Sequence, residues 1–407
     1  MKLSLCMIVR NEAANLPACL TSVKDVVDEL IVLDTGSTDE TVTIAQSFGA
    51  QVPHFAWCND FSAARNASLK YATGDWILVL DADERLVPEI VPAMQQAMQQ
   101  PNALVINLLR AEVGAVQSPY SLVSRLFRNH PDVQFSRPYH ALVDDSVMQL
   151  LQQEPQWQVL SLPQIAIRHY GYEPSTIAAR QKLDQARTAM EEYWLAHPDD
   201  PYVCSKLGAL YIQIGDFTQG VDILRRGLRS IAQSPTPVVN PQSSFAPILY
   251  ELHYHLAIAY NRLQQPPTAE QHYRSAIQVP ILDCLKLGAY NNLGSLLQAK
   301  GDLAGAKAAY EACLNIDPNF AVGYYNMGMV LKASGQLMES AAQYQKAIAL
   351  NPNYAEAHQN LGVVLLKLGN ILEGKQAFLR AIELHERQNS PEAARLRQGL
   401  QQMGFRV

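Results

Sequence analysis

The segment TGDWILVLDADE, residues 73–84, decides the fold of the N-terminal half of the chain. Within it, Trp76–Leu80 is an uninterrupted apolar run, which is typical of a strand buried on both faces of a parallel sheet. Asp81 and Asp83 follow this run directly. Because residues two apart in an extended chain face the same way, the pair is expected to point together into a cleft. Such carboxylates suit Mg²⁺ or Mn²⁺ bound against a diphosphate.

The chain before this segment alternates strands and helices. Lys2–Val9, the run ELIVLD at 29–34 and the short stretch Gln51–Phe55 have strand patterns, and helices are expected at 12–23 and 61–71, with Asn11 capping the first of them. A β-α-β-α-β order indicates an α/β domain with a mostly parallel, Rossmann-like sheet. Ligands of such sheets bind beyond the carboxyl ends of the strands.

Polar residues follow several of these strands, including Asp34 after the second one. A turn with solvated acids is the plain alternative for Asp81 and Asp83, and the buried strand before them favours a binding site. The chain has no G-x-x-x-x-G-K-[ST] loop, and no G-x-G-x-x-G follows its first strand. Kinase-like P-loops and dinucleotide sites are therefore excluded. A nucleotidyltransferase is disfavoured because MIVRNE offers no glycine-rich loop.

Composition limits the class of protein. The 407 residues are 48% hydrophobic and 17% charged, which fits a globular chain of two or more domains. Residues 1–173 carry 11 basic and 19 acidic residues, whereas the remainder carries 21 and 19, so neither half resembles a nucleic-acid binder. The 6 cysteines form no C-x-x-C pair. We expect a cytoplasmic protein without a signal peptide or transmembrane segment.

The C-terminal half repeats itself every 34 residues. Gly294, Gly328 and Gly362 are related by this step, and Gly301, Gly335 and Gly369 repeat it seven residues later. An aromatic residue recurs at the same interval, at Tyr310, Tyr344 and Phe378. Each unit is interpreted as two helices that cross closely at the small residue and turn at the second glycine.

This pattern resembles the tetratricopeptide (TPR) repeat. The resemblance implies an all-α array of helical hairpins, forming a superhelix, at 201–388, with looser copies around Tyr211 and Tyr260 and an irregular insertion near 231–247. Residues 174–200 are expected to form a connecting helix, and 389–407 a polar capping helix. TPR grooves bind peptides or other proteins, so a protein acceptor or partner is expected. Self-association into a homodimer is the alternative.

Four N-terminal segments together resemble glycosyltransferase family 2. They are MIVRNEAANLPACLTSV, LIVLDTGSTDET, DFSAARNASL and TGDWILVLDADE. The resemblance covers about residues 1–173 and implies a GT-A fold, a nucleotide-sugar donor and inversion at the anomeric carbon.

The resemblance also implies roles for individual residues. Val9 and Glu12 correspond to positions that hold the nucleoside, and Asp34 to the acid that meets the base. Arg65 lies near the expected diphosphate. Asp81 and Asp83 match the D-x-D pair of metal ligands, with Asp83 the more direct one.

A later part, SRLFRNHPDVQFSRPYHALVDD at 124–145 and IRHYGY at 167–172, resembles the subgroup of this family with appended repeats. That subgroup typically has His-Glu where this chain has His140 and Ala141, so the plausible general base is missing. The resemblance leaves His140 as a metal or phosphate ligand and Asp144 or Asp145 as the base. His169, at the end of an expected strand, is a weaker site candidate.

The resulting prediction is a metal-dependent inverting glycosyltransferase. Mg²⁺ or Mn²⁺ and Arg65 would neutralise the departing nucleoside diphosphate while a carboxylate or His140 takes the acceptor's hydroxyl proton. UDP is favoured over GDP by family habit alone. The alternative hypothesis is a non-catalytic scaffold, in which a degenerate sugar-nucleotide fold supports a protein-binding repeat array.

Overall fold

The structure, a computed structural model, describes residues 1–115, 119–139, 141–171, 176–233 and 245–405, without side-chain detail for 176–185. The chain divides into two compact units. The first comprises Met1–Leu263 with Val279–Leu285, and the second Gln264–Gln278 with Lys286–Val407. The predicted succession of an α/β part and an all-α part is confirmed.

The first unit contains a seven-stranded sheet and nine described helices. Its strands are β1 (Leu3–Val9), β2 (Glu29–Asp34), β3 (Trp76–Val79), β4 (Glu84–Leu86), β5 (Ala103–Glu112), β6 (Tyr120–Arg128) and β7 (Gln158–His169). Its helices are α1 (Leu16–Val23), α2 (Thr41–Ser47), α3 (Phe61–Leu69), α4 (Val91–Met98), α5 (Asp144–Gln153), α6 (Thr176–Ala196), α7 (Pro201–Ile214), α8 (Phe217–Gln233) and α9 (Phe245–Arg262). A short 3₁₀ helix, Pro88–Ile90, precedes α4.

The sheet is mixed, with the strand order β2-β1-β3-β6-β5-β7-β4. β1 pairs in parallel with β2 and β3, and β5 pairs in parallel with β7. The other three pairings, β3 with β6, β4 with β7 and β5 with β6, are antiparallel. Crossover helices make the first half parallel as predicted, whereas β5 and β6 follow each other closely in the chain and so pair in opposite directions.

The buried faces of the sheet explain its continuous apolar strands. Leu5, Met7, Trp76 and Leu78 are buried in one core cluster on one face, together with α1 and α4. Ile31, Ile77 and Phe127 belong to a second cluster on the other face. Because both faces are covered, the central strands lack the polar alternation of a half-exposed sheet.

Two local predictions at the ends of β1 and β2 are wrong. The first helix begins at Leu16 with Asn15 as N-cap, because Asn11 has a φ of 57° and its side chain binds elsewhere. The Asn11 Oδ1 accepts a 2.8 Å hydrogen bond from the Thr38 amide and so ties the two loops together. The stretch at 51–55 forms isolated bridges to β2 instead of a strand.

The second unit is entirely helical within its described residues. It contains α10 (Pro266–Gln278), α11 (Leu287–Ala299), α12 (Leu303–Ile316), α13 (Ala321–Ala333), α14 (Leu337–Leu350), α15 (Ala355–Lys367), α16 (Ile371–Arg387) and α17 (Glu392–Gln402). α11 with α12, α13 with α14, and α15 with α16 form successive hairpins. α17 lies where the sequence predicts a capping helix, and most of the predicted insertion, 234–244, lies outside the described residues.

The 34-residue period has the predicted physical cause. A Cβ added at Gly294, Gly328 or Gly362 would lie 2.6–2.7 Å from the ring of the aromatic residue 16 positions later. The second glycine of each unit has a positive φ, between 78° and 84°, at the end of the first helix. The first position therefore needs a residue without a side chain, and the second favours one that tolerates a left-handed backbone.

Substituting Gly328 by Ala is expected to destabilise the second unit by about 1–3 kcal/mol, because the new methyl group would overlap the Tyr344 ring. Gly399→Ala is the matched control, since nothing lies within 4 Å of its added Cβ and its φ is not positive. Loss of a flexible helical glycine should stabilise that variant by about 0.5–1 kcal/mol. Chemical denaturation followed by circular dichroism compares them. Equal midpoints for the two variants would contradict this packing argument.

No helix among the described residues is long and apolar enough to cross a membrane.

Candidate active site

A large cavity opens at the carboxyl end of β3. Its volume is about 1830 Å³ and it lies wholly within the first unit. Charged side chains from α3 and from the strands and their ends line one part of it, among them Arg65, Asp81, Arg125 and His169. The sequence predicts ligand binding at this edge of the sheet, and the cavity lies where such ligands bind.

Asp81 lies between two arginines. Its Oδ1 accepts a 2.8 Å hydrogen bond from Arg65 on α3, and its Oδ2 accepts one of the same length from Arg125 on β6. Burial opposes ionisation of Asp81, but Arg125 and Arg65 outweigh it and hold the pKa of this carboxyl well below its usual range. Asp81 is therefore a carboxylate whose two oxygens are already engaged.

Each of the two arginines has one guanidinium nitrogen that is not engaged by Asp81. Within the described part of the chain, Nη1 of Arg65 and Nη1 of Arg125 are buried without a hydrogen-bond partner. Burial lowers the pKa of Arg65, and Asp81 only partly restores it, whereas Asp81 raises the pKa of Arg125 against the effect of burial. Because the carboxylates of Asp81 and Glu84 both act on these guanidinium groups, it is their planar N–H donors, and not a net positive charge, that suit an anion here.

Asp83 has different side-chain partners from Asp81. Its Oδ2 lies 3.3 Å from Nε2 of His169, at the end of β7, and Nδ1 of the same ring lies 2.6 Å from the Glu112 carboxylate. The hydrogen bonds with Asp83 and Glu112 raise the pKa of His169 to about 9, against a smaller effect of burial. A Cβ on Gly171 would lie 2.6 Å from this ring, so the backbone also closes over the pair.

Asp81 and Asp83 have different hydrogen-bond partners, because the chain turns at this place. β3 ends at Val79, and the Asp81 carbonyl accepts a 2.9 Å hydrogen bond from the Glu84 amide. The Glu84 carboxylate, which is fully buried, closes the turn by accepting from the Asp81 amide and from Arg110. The Asp81 carboxylate therefore binds the two arginines, whereas the Asp83 carboxylate faces the His169 ring.

The residues present fit a divalent cation at Asp83 better than at Asp81, whose two oxygens are engaged by arginines. Nε2 of His169 could serve as a second ligand only when the cation displaces its proton, because the pKa of this ring is raised to about 9. No group of three or more His, Cys, Asp or Glu side chains that could hold a metal occurs among the residues that the structure describes. Mg²⁺ in phosphoryl sites usually takes only one or two protein ligands and completes its shell with substrate oxygens and water. The Glu112 carboxylate on Nδ1 would fix the tautomer that presents Nε2, as second-shell carboxylates do at metal sites.

The predicted nucleoside positions lie at the ends of β1 and β2, outside the lining of this cavity. Asp34 is nearly buried and accepts hydrogen bonds from the Gly36 and Ser37 amides at 3.1 and 3.0 Å, and it lies 3.3 Å from Nδ1 of His54. Burial opposes these hydrogen bonds, which nevertheless lower its pKa.

The other two nucleoside candidates bind the loops around Asp34. The Val9 carbonyl accepts from both the amide and the hydroxyl of Thr35, each at 3.0 Å. The Glu12 amide donates to Thr41 at 2.8 Å. The ends of β1 and β2 therefore form one connected group.

Asp144 and Asp145, the candidate bases, have opposite environments. Asp144 Oδ1 accepts a 3.1 Å hydrogen bond from Ser124, and its buried Oδ2 has no partner within the described residues. Burial raises the pKa of Asp144. Asp145 accepts two 3.0 Å hydrogen bonds from Arg137, which lower its pKa although burial opposes them. Asp144 thus has the character of a proton acceptor, and Asp145 that of a structural ion-pair partner.

The third candidate, His140, lies outside the described residues. Its neighbour Ala141 lines the cavity and is partly buried against the second core cluster.

Sequence reasoning missed Arg125, Glu112 and Arg137. Arg125 lies in the segment 124–145 that resembles the repeat-bearing subgroup, but no local pattern pairs it with Asp81, 44 residues away. Glu112 ends β5 and meets His169 only because β5 and β7 lie side by side. These partners follow from the order of the strands in the sheet, which the sequence pattern did not specify.

Comparison with known families agrees with both halves of this description. Glycosyl transferase family 2 matches residues 4–160. TPR repeat families match residues 287–320, 309–342, 328–369 and 355–387. The suspected combination of a family 2 domain followed by TPR repeats is thereby confirmed.

Curated relatives point to the same combination. A TPR repeat-containing protein of Synechococcus elongatus is 48% identical over 311 residues, which are 76% of this chain and 74% of that protein. The SPbeta prophage-derived glycosyltransferase SunS of Bacillus subtilis is 29% identical over 55% of this chain and 52% of its own length. An uncharacterized glycosyltransferase of Rickettsia bellii is 33% identical over 36% of this chain. The chain spans about half the length of these two glycosyltransferases.

Solved structures resemble the chain only weakly. A crystal structure of MamA has a TM-score of 0.38 at 21% identity and covers 45% of this chain and 96% of its own. That of YrrB, a TPR protein with an unusual peptide-binding site, has a TM-score of 0.39 at 15% identity and covers 49% and 94%.

Proposed function

The chain belongs to the family of TPR repeat-containing proteins represented in Synechococcus elongatus, here with an N-terminal glycosyl transferase family 2 domain, and on that premise we propose that it transfers a sugar from a nucleotide-sugar donor to an acceptor hydroxyl. The proposed donor site is the charged part of the cavity. UDP-sugars are the first donors to test, on the habit of the family.

The observation that carries this proposal is the pair of buried Nη1 atoms of Arg65 and Arg125 beside the cavity, neither of which has a hydrogen-bond partner among the residues that the structure describes. A buried donor without a partner costs about 1–3 kcal/mol, so such atoms are expected where a ligand supplies the missing acceptor. A diphosphate offers several anionic oxygens and matches the planar guanidinium groups. Asp81 holds both groups in place before the ligand arrives.

Asp83 and His169 are the proposed ligands of Mg²⁺ or Mn²⁺. The cation would supply positive charge at the diphosphate as the bond to the sugar breaks. Glu112 orients the His169 ring, and the turn closed by Glu84 fixes Asp83. Under this proposal Asp81 is an anchor for the arginines and not a metal ligand.

Asp144 is the proposed general base. Its buried Oδ2 has no hydrogen-bond partner in the described ranges of the chain, and Asp144 lines the same cavity as the two arginines. Transfer then balances as a single displacement. Asp144 takes the proton of the acceptor hydroxyl, and the oxygen's electron pair forms the new bond to the anomeric carbon. The bond from that carbon to the diphosphate oxygen breaks, and its electron pair leaves with the nucleoside diphosphate, beside Arg65 and Arg125.

A non-catalytic scaffold remains the second candidate function. The observation in its favour is Ala141, which lines the cavity at the position where the resembled subgroup carries a carboxylate. A scaffold would keep the TPR repeats as a protein-binding array while the family 2 domain binds no donor. In either case we propose a protein or peptide partner for the repeats, with self-association as the alternative.

A thermal-shift experiment separates the two candidates. UDP, GDP and dTDP are each added to the full chain with and without Mn²⁺. At least one of them is expected to raise the unfolding midpoint, and more strongly with Mn²⁺, because a ligand bound only by the folded state stabilises it.

Asp83→Asn is expected to abolish the increment due to Mn²⁺ and to keep the metal-independent part contributed by the arginines. Asp132→Asn, at a highly exposed position, is the matched control and should behave like the wild type. If no nucleotide stabilises the wild type under any metal condition, the transferase proposal fails and the scaffold is favoured.

A further inference from the structure

The cavity extends well beyond the charged strand ends. Its volume of about 1830 Å³ exceeds the roughly 300–1,000 Å³ of a pocket for one small ligand. Side chains of α7 and α9 form the part remote from the sheet, among them Lys206, Glu251 and His255. Because all of these residues lie in the first compact unit, the first helices of the repeat region complete the enzyme cavity itself.

The helical wall has a preformed polar centre. The Glu251 carboxylate accepts hydrogen bonds from Lys206 at 2.6 and 2.7 Å and from Ser205 at 2.6 Å. Burial opposes ionisation of Glu251, but Lys206 and Ser205 outweigh it and lower its pKa. The pair is therefore charged and held in place, with the Lys206 ammonium at the cavity lining.

His255 lies one helical turn after Glu251, on the same face of α9. Within the described part of the chain its ring makes no hydrogen bond and only an edge contact with Tyr254. Burial lowers the pKa of His255 to about 4, with Lys206 adding to the effect and Glu251 opposing it. At neutral pH the ring is uncharged and offers one donor and one acceptor nitrogen to a ligand in the cavity.

Apolar side chains surround this centre and limit the class of ligand. A neutral imidazole with one donor and one acceptor matches an amide group, whereas an acyl chain would leave it unpaired. Aliphatic and aromatic surface around a donor–acceptor pair instead suits the backbone and side chains of a polypeptide. The apolar lining residues are Phe245, Ile248, Tyr254, Ile281 and Leu285.

Arg137 connects α7 with α5, the helix that begins with the proposed base Asp144. Arg137 binds Asp145 on α5 with two 3.0 Å hydrogen bonds, and its Nη2 lies 3.1 Å from Asp200, the N-cap of α7. The same guanidinium lies 4.3 Å from the centre of the Tyr202 ring. Its backbone φ of 77° is unusual for a residue with a side chain and persists because these contacts fix it. α5, which begins with Asp144, is thereby held against α7.

We propose that Lys206, Glu251 and His255 form the acceptor subsite of this cavity and that the acceptor is a polypeptide segment bearing the hydroxyl that Asp144 deprotonates. The inference rests on the proposed transferase function and adds the class of acceptor and its place. It puts acceptor recognition on α7 and α9, within the catalytic unit.

The test uses the full chain, radiolabelled UDP-sugars with Mn²⁺, and a peptide library that carries one Ser or Thr in random sequence. His255→Leu is expected to lower transfer to the library at least tenfold, mainly through a higher KM. His255→Gln, which keeps a donor and an acceptor, is expected to retain most of it. His253→Leu, on the same helix but outside the cavity lining, is the control.

Nucleoside diphosphate binding and the unfolding midpoint are measured for each variant. Unchanged binding with lost peptide transfer supports the subsite. If the wild type binds nucleotide but does not label the peptide library, or if His255→Leu labels peptides as well as the wild type does, the inference is overturned and the proposed function stands. If the wild type binds no nucleotide, the proposed function itself fails.

Discussion

Replacing Asp144 by Asn is expected to lower the turnover number for sugar transfer by about 10²–10⁴-fold, the usual contribution of a general base. Donor binding should remain, because Asp144 does not touch Arg65, Arg125 or Asp83 through any of its hydrogen bonds. Turnover and nucleotide affinity, measured side by side, separate the two effects. Unchanged turnover in this variant would remove Asp144 from the mechanism.

The pH dependence gives a second readout for the same variant. Burial raises the pKa of Asp144, and a base must be unprotonated to act, so kcat/KM of the wild type should fall at a pH above the ordinary aspartate value of 3.8 as the pH is lowered. In the Asp144→Asn variant, kcat/KM should no longer fall in this way as the pH is lowered.

Asp144→Asn is not expected to unfold the protein. Because the pKa of Asp144 is raised in the folded state, its protonated carboxyl stabilises the folded state fully below pH 3.8. This stabilisation is lost as the pH rises through the raised pKa. At neutral pH the amide therefore removes a buried charge. Asp145→Asn is the contrasting variant, because it breaks the ion pair with Arg137. It should lower the free energy of unfolding and have less effect on the turnover number than Asp144→Asn.

The second large effect is expected at Arg125. Arg125→Met should weaken binding of the nucleoside diphosphate by about 1.5–3 kcal/mol, the size of a hydrogen bond to a charged group, or roughly 10–100-fold. Arg125→Lys keeps the positive charge but loses the planar, forked set of N–H donors of a guanidinium group. It should therefore recover only part of the affinity for the nucleoside diphosphate. Isothermal titration with UDP and Mn²⁺ measures both.

Arg128→Met is the matched control for this prediction. Arg128 lies on the same strand, but its guanidinium donates to backbone carbonyls such as that of Ala103 and lies over the Trp76 ring. Its loss should change stability and leave nucleotide affinity unaltered. Equal affinity in the wild type and Arg125→Met would contradict the role given to the unpartnered guanidinium nitrogen.

The repeat region could be predicted from the sequence because its determinants are local. The contact of Gly328 with Tyr344 spans only 16 positions, and the positive φ of Gly335 is a property of a single residue. The same pattern of two glycines and an aromatic residue then occurs three times at a spacing of 34 residues, which identifies it as a repeat. The central strands were predicted for the same reason, since burial on both faces leaves an apolar run in the sequence.

The cavity could be predicted only in part. The sequence located Asp81, Asp83 and Arg65 near a strand end, but the turn closed by Glu84 and the different partners of the two aspartates depend on the fold. Arg125 and Glu112 reach the site through pairings across the sheet, which depend on strand order. Lys206 and His255 come from helices that the repeat pattern assigned to a separate domain, and only the three-dimensional structure brings them to the cavity.

The most direct test of the central claim is a crystal structure of the full chain with UDP and Mn²⁺, using the anomalous signal of manganese. We expect manganese beside Asp83 and Nε2 of His169, with diphosphate oxygens within hydrogen-bonding distance of Nη1 of Arg65 and of Arg125. A nucleotide bound away from these two arginines, or manganese on Asp81 in place of its guanidinium partners, would contradict it.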